Sequence, residues 1–363
     1  MKKYILLLLV AVAVFTGCET KIDLNADYKQ IPVIYGLLEG NKDVQLIKIN
    51  RSFLGETNAL VAAQVPDSTF YVNITPVLEK LNGGNVIDTR TLRDTVLADR
   101  QPGDFYVSPN KYYFFNSADE FLDKGFEYRL KFEANGQIVF AETVLLESFE
   151  PKSPLNFTPV LSIVRNDAVA QGKVEYQSIS MKVSTKENVR LYQTNLKVRY
   201  KVVYRNGSVS DKEVLVPLED ILTTRLTGGE SLETVITGES IFGAIGAEAA
   251  IDSENESDVK YRELGTIELK STSATDDLNT YLESISPASG VVLEKPQYTN
   301  INFGEDELGI GIFTSRSSFI KDYDWDTKTM KAFSVEVNTK DYKFCTFDPV
   351  LQGTQRVDCR TFN

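Results

Sequence analysis

The chain has 363 residues, 42% of them hydrophobic and 10% aromatic, enough to bury sizeable cores, which argues against global disorder. Its formal net charge of −12 is repelled by phosphate backbones and anionic headgroups, which argues against nucleic-acid binding and against electrostatic attachment to a membrane. It contains no histidine, which removes Ser-His-Asp and Cys-His catalysis, His-ligated zinc or iron, and pH switching by imidazole.

Lys2 and Lys3 open the chain, an apolar run follows from Tyr4 to Phe15, and Thr16-Gly17 lead to Cys18. A run this short does not span a bilayer, which takes about 20 apolar residues. Residues 1–17 therefore read as a secretory signal that is removed. The cysteine directly after the cut resembles a bacterial lipoprotein signal, which implies that Cys18 is lipidated and becomes the N-terminus. The signal carries two lysines and no acid, so the mature charge is −14 and the lipid has to do the holding. A single acyl chain binds marginally, at about 0.8 kcal/mol per buried CH2, whereas two or three anchor stably. Residues 18–30 form a short polar tether whose coil reaches roughly 20 Å, so the first domain stays near the bilayer and close to membrane partners. Glu19 and Asp23 lean the chain towards the cell surface, although Lys21 lies between them.

From Ile31 the periodicity is that of strands. IPVIYGLLE and VQLIKIN, separated by GNKD, read as a hairpin, and FYVNITPVL as a strand with Phe70, Val72 and Ile74 on one face. NGGN at 82–85 is a turn. In FEYRLKFEANGQIVFAETVLL, Tyr128, Leu130 and Phe132 alternate with charged residues, and Asn135-Gly136 suits a two-residue hairpin. Many short strands with little helix predict an immunoglobulin-like β-sandwich over 31–149. Pro151 and Pro154 mark the boundary to a second, larger β-rich domain over 150–363. There, Leu196, Val198, Tyr200, Val202 and Tyr204 share a strand face that ends at Asn206-Gly207. Two stretches take helical spacing, one through Ile241, Phe242, Ile245, Ala249 and Ala250. The other runs through Leu278, Tyr281, Leu282 and Ile285, starting at Thr275 to Asp277 and ending before Pro287.

Of the three cysteines, Cys345 and Cys359 remain once Cys18 is assigned to lipid. In an exported chain they read as a disulfide closing a loop of about 15 residues, worth roughly 3 kcal/mol; the alternative is two separate buried thiols. Lys197, Arg199, Lys201 and Arg205 form a basic stripe that reads as the solvated face of a sheet rather than a ligand site. Tyr112 to Phe115 read as a strand covered on both sides rather than a sugar platform. Asp322, Asp324 and Asp326 have the spacing with which a calcium loop begins, but Thr327 replaces the turn glycine and Phe333 stands where the closing Glu belongs. Ser257 and Lys260 match a Ser-x-x-Lys spacing without its partner motif, and Gly243 and Gly246 lack the remaining glycine of a dinucleotide loop. No catalytic residue, metal site or cofactor is nominated.

Four stretches in order, CETKIDLNADYKQIPVIYGLLE, RSFLGETNALVAAQVPDS, EYRLKFEANGQIVFAETVLL and PQYTNINFGEDELGIGIFTSRSSF, resemble a family of uncharacterised outer-membrane lipoproteins of the Bacteroidota type. The most specific matches are Tyr298, Thr299, Asn300, Ile301, Gly311, Ile312, Phe313 and Arg316. The resemblance implies a lipid-anchored outer-membrane protein without established activity, often found near TonB-dependent receptors. Arg316 reads as one half of a structural salt bridge. The expectation is a non-enzymatic binding or accessory protein serving an outer-membrane barrel receptor. The alternatives are an envelope structural or adhesion protein and, behind both, a carboxylate-dependent glycan hydrolase.

Overall fold

The computed structural model describes residues 30–52, 65–98, 110–117, 121–152, 159–251, 256–286 and 297–362; Cys18, the signal and most of the tether lie outside them. The fold is mainly β, with 49% of the described residues in strands and 15% in helices.

The first eight strands are β1 (Pro32–Glu39), β2 (Val44–Arg51), β3 (Val77–Asn82), β4 (Asn85–Thr91), β5 (Arg93–Leu97), β6 (Asn110–Asn116), β7 (Glu127–Ala134) and β8 (Gln137–Val144). One sheet runs β1-β2-β6-β5 and the facing sheet β8-β7-β3-β4. Taken in chain order, these are the two layers of an immunoglobulin-like sandwich, with the hairpin partner of the third strand added to the second sheet. Alternation drives the layering. Ile47, Ile49, Tyr113 and Phe115 point inward from one sheet to meet Leu78, Leu130 and Phe132 from the other. Asn135 and Gly136 both take positive φ, as a two-residue type I′ hairpin requires. At the start of β7 the Tyr128 hydroxyl donates to the Phe121 carbonyl (3.0 Å) and accepts from the Asp123 amide (2.7 Å), which is the tyrosine corner of this sandwich type.

One strand expectation fails. Residues 70–76 are not a strand, Tyr71 rather than Val72 is buried, and the ladder starts only at Val77. Asn73 adopts a left-handed φ of 58°, and Pro76 has no N–H to offer a ladder.

The remaining strands are β9 (Val160–Leu161), β10 (Ser178–Ser184), β11 (Leu191–Tyr204), β12 (Val209–Pro217), β13 (Ile221–Leu222), β14 (Ser231–Thr237), β15 (Val259–Ala274), β16 (Asn302–Phe303), β17 (Glu307–Leu308), β18 (Ile310–Trp325) and β19 (Phe344–Cys345). Three helices matter for packing: α1 (Gly238–Ile251), α2 (Asp276–Ile285) and α3 (Thr327–Ala332). Helix α1 buries Ile241, Phe242, Ile245 and Ala249, while Ala250 is exposed. Helix α2 starts as its sequence indicates, the Thr275 hydroxyl accepting from the Leu278 amide at 3.2 Å. It lies on the surface, and its only buried residue is Asn279.

A second apolar core begins at Leu146, directly after Leu145 closes the first. The division expected at 149/150 does not describe the cores as continuous segments, because Ile301, Phe303 and Phe313 belong to the first. Strand β16 extends the first sandwich by pairing with β8. The 16-residue β18 serves both units: Ile310–Arg316 pairs in parallel with β1, and Arg316–Tyr323 pairs antiparallel with β15. The result is one sheet whose main path runs β12-β11-β15-β18-β1-β2-β6-β5 through both halves. A parallel pairing between residues so far apart in sequence leaves no local signature.

Candidate functional site

Where β18 begins, the chain forms a cavity of about 390 Å3 between β1, α2 and the segment leading into β16, lined by Tyr35, Tyr281, Ile285, Tyr298, Thr299 and Gly309 to Gly311. The segment is held by Asn300, which acts as a substitute strand. Its Oδ1 accepts from the Phe313 amide (3.0 Å), and its Nδ2 donates to the Phe313 carbonyl (2.7 Å). The Gly309 amide then donates to the Ile301 carbonyl at 2.8 Å, tying the start of β18 to the segment that enters β16.

Two tyrosines are fixed by hydrogen bonds. Tyr298 donates to the Asp277 carboxylate. Burial and that carboxylate both push the Tyr298 phenol up. Tyr281 is pushed up to about 12, first by burial and then by its hydrogen bond with Tyr35. Both phenols are therefore neutral at ordinary pH and offer donors and acceptors rather than charge. Apolar surface is left at the rim: Tyr35 is 43% exposed, Ile285 59% and Ile310 40%. A concave site with a few oriented polar groups and an apolar aromatic rim is suited to binding.

The residues singled out in the sequence divide in a simple way. Tyr298, Thr299 and Gly311 line the cavity, Asn300 clamps it, and Ile301 and Phe313 fill the first core. Arg316 forms its salt bridge with Glu39, Nε to Oε2 at 3.0 Å, directly across the β1–β18 pairing. Tyr35, Tyr281 and Asp277 were not legible as site residues, because β1 and α2, far apart in the sequence, bring them together.

Other candidates resolve structurally. Cys345 and Cys359 are disulfide-bonded, with their Cα atoms 5.0 Å apart. Lys197 and Arg199 enter an ion-pair lattice: Arg199 reaches Glu213 at 3.2 Å, Asp322 at 3.3 Å and also Glu268, and Lys197 reaches Glu213 at 3.5 Å. Tyr113 and Phe115 face the core, while Lys48 lies over Tyr112 and Arg93 over Phe114 on the other face. Asp322 is committed to Arg199, and Asp326 caps α3 by accepting from the Thr329 amide at 2.9 Å. Among the described residues no group of three acidic or cysteine side chains is placed to hold a metal ion. Gly243 and Gly246 lie inside α1, and a side chain at Gly246 would meet the Asn338 carbonyl.

The Glu39–Arg316 pair carries a pH prediction. Burial pushes the Glu39 carboxyl up, but hydrogen bonds from Ser318 and Arg316 and the charges of Arg316 and Lys42 outweigh it, so the carboxyl titrates below the ordinary glutamate value. The pair's contribution is therefore complete above the unfolded value and is lost as pH falls through the folded one. Glu39→Gln is expected to cost roughly 1–2 kcal/mol near neutrality and to flatten the acid side of the stability curve. Urea denaturation at a series of pH values checks this, and an unchanged acid slope contradicts it.

No protein-family model matches the chain, and no curated protein does. Among solved structures, the C-terminal globular domain of oligosaccharyltransferase from Pyrococcus abyssi is similar over 67% of this chain at 12% identity and a TM-score of 0.22. The alignment spans 46% of that structure's chain.

Proposed function

We propose that the chain is a lipid-anchored binding protein of the outer membrane, held by Cys18, which docks on a TonB-dependent barrel receptor through the rim of the tyrosine cavity. The observation that carries this reading is the apolar rim of Tyr35, Ile285 and Ile310 around a hydrogen-bonded tyrosine floor. Aromatic and aliphatic side chains left exposed around a concavity are what a protein interface draws on. The lipoprotein-like start and the short tether support the address, with the body facing the cell surface.

The test is detergent solubilisation and pull-down through the full lipidated chain. A barrel receptor is expected in the eluate, and Ile310→Glu is expected to cut its recovery by roughly tenfold or more, since it puts a charge in the apolar rim. Ile310 is exposed on β18, so the variant's urea midpoint should stay close to the parent's. Repeated recovery of the lipoprotein alone, or equal recovery with Ile310→Glu, overturns the docking reading. Cys18→Ala should move the chain to the soluble fraction, and continued membrane association overturns the anchor.

A further inference from the structure

We propose that a second site, a cationic pocket beside the two segments that the Cys345–Cys359 disulfide joins, binds a phosphate monoester. It shares no residue with the tyrosine cavity and does not depend on the docking reading. The pocket encloses about 310 Å3 and is lined by five cations, Arg205, Lys260, Lys340, Lys343 and Arg356, against one carboxylate, Asp341. In a chain of net charge −12 this is a local reversal of sign. Two of the five are tied into the frame. Lys343 Nζ donates to the carbonyls of Glu256 (2.9 Å) and Val259 (2.8 Å) and pairs with the Glu256 carboxylate (3.4 Å), and Arg205 Nε donates to the Ser257 carbonyl (3.1 Å). Among the described residues, the side chains of Lys260, Lys340 and Arg356 have no hydrogen bond or ion pair, which leaves three cations for a ligand.

The backbone points to the same place. Among the described residues, the non-glycine ones with positive φ are Asn73, Asn135 and Asn188, together with Lys343 (53°) and Arg356 (64°). Asparagine enters the left-handed region readily because its short amide bonds to nearby backbone. Lysine and arginine have no such compensation, yet both of these line the one pocket. Strain of this kind is kept where the surrounding structure over-determines a functional position. Here the disulfide supplies that constraint, since Cys345 follows Lys343 by two residues and Cys359 follows Arg356 by three. The Cys359 amide donates to the Thr346 carbonyl (3.0 Å) and the Thr346 amide to the Val357 carbonyl (2.9 Å), so the two cation-bearing segments are also hydrogen-bonded together.

A dianionic phosphate matches several cations with donors in different directions better than a single carboxylate does. Phe362, half-buried at the pocket wall, adds an apolar surface for the organic part of an ester. Such a group could come from a soluble sugar phosphate or from a lipid headgroup, and the experiment separates them.

The full chain is titrated calorimetrically with glucose 1-phosphate, and floated with phosphatidylcholine vesicles with and without phosphatidic acid. Binding to at least one phosphate probe, weakening with salt, is expected. Lys260→Gln, Lys340→Gln and Arg356→Gln together should lower affinity by roughly tenfold or more, while Lys201→Gln, an exposed cation outside the pocket, should not. Reduction of the disulfide should also lower affinity without loss of the far-UV β signal. Soluble binding alone assigns a sugar phosphate, and vesicle binding alone a lipid headgroup. The proposal is overturned by silence with every probe, by a triple variant that binds like the parent, or by affinity unchanged on reduction.

Discussion

Replacing Gly311 with alanine is expected to destabilise the fold by about 4 kcal/mol or more, at the far end of what single substitutions do. Gly311 has a φ of 96° and lies directly opposite Ile34 in the parallel β1–β18 pairing. A Cβ there would stand 2.0 Å from the Ile34 carbonyl oxygen and 3.0 Å from its carbon. That oxygen is backbone, and Ile34 is fully buried and also paired with Ile49 on β2, so it has nowhere to retreat. The remaining way out is to part β18 from β1, and β18 carries both cores. Gly84 is the control, with a φ of 80° and nothing within 4 Å of an added Cβ. Gly84→Ala should cost only the conformational part, about 1 kcal/mol. Urea denaturation of the two variants side by side tests the claim, and equal losses would falsify it.

Glu256→Gln should have the second-largest effect, about 3 kcal/mol, through a residue it touches rather than its own burial. Arg262 on β15 is fully buried. Its Nη1 donates to Glu256 Oε1 (3.1 Å) and to the Tyr342 carbonyl (2.8 Å). Its Nη2 lies 2.8 Å from Glu256 Oε2, off-line for a hydrogen bond and so a charge contact. The guanidinium also faces the rings of Tyr342, at 5.5 Å, and Phe344, at 6.0 Å. Lys343 reaches the same carboxylate at 3.4 Å. Removing the one negative charge leaves a guanidinium in a dry environment without its counter-charge. A second substitution, Arg262→Met, replaces the guanidinium with an apolar chain that has no charge to bury. The double variant Glu256→Gln, Arg262→Met should therefore recover about half of the loss or more. If the two losses simply add, the pair is not coupled and the argument fails.

The parts of the fold that were legible in the sequence are those decided within a few residues. Tyr128, Leu130 and Phe132 alternate because strand side chains change face at every step. Asn135-Gly136 fixes its hairpin because both residues accept positive φ, and Thr275 starts a helix because its hydroxyl reaches an orphan amide three residues on. The misreading of residues 70–76 has the same local origin. Alternation was present there, but Asn73 and Pro76 outweighed it.

The salt bridge of Arg316 and the pairing of Cys345 with Cys359 were also readable, since a half-buried arginine needs a counter-charge and two cysteines 14 residues apart can close a short loop. The sites were harder. The tyrosine cavity joins residues 35, 281 and 298, and the cationic pocket joins residue 205 to 356. A basic stripe running along β11 into the turn after it hid the difference between Arg199, spent in an ion-pair lattice, and Arg205, which lines the pocket.

From sequence alone come the mainly β character, the hairpin turns and the exclusion of histidine chemistry, because each depends on composition or on neighbours in the chain. The tertiary structure decided that β18 belongs to two cores, that Gly311 must pass against Ile34, and that the tyrosine cavity and the cationic pocket form. Those outcomes rest on pairings between residues hundreds of positions apart, which come from burying both faces of the shared sheet and which no short window of sequence encodes.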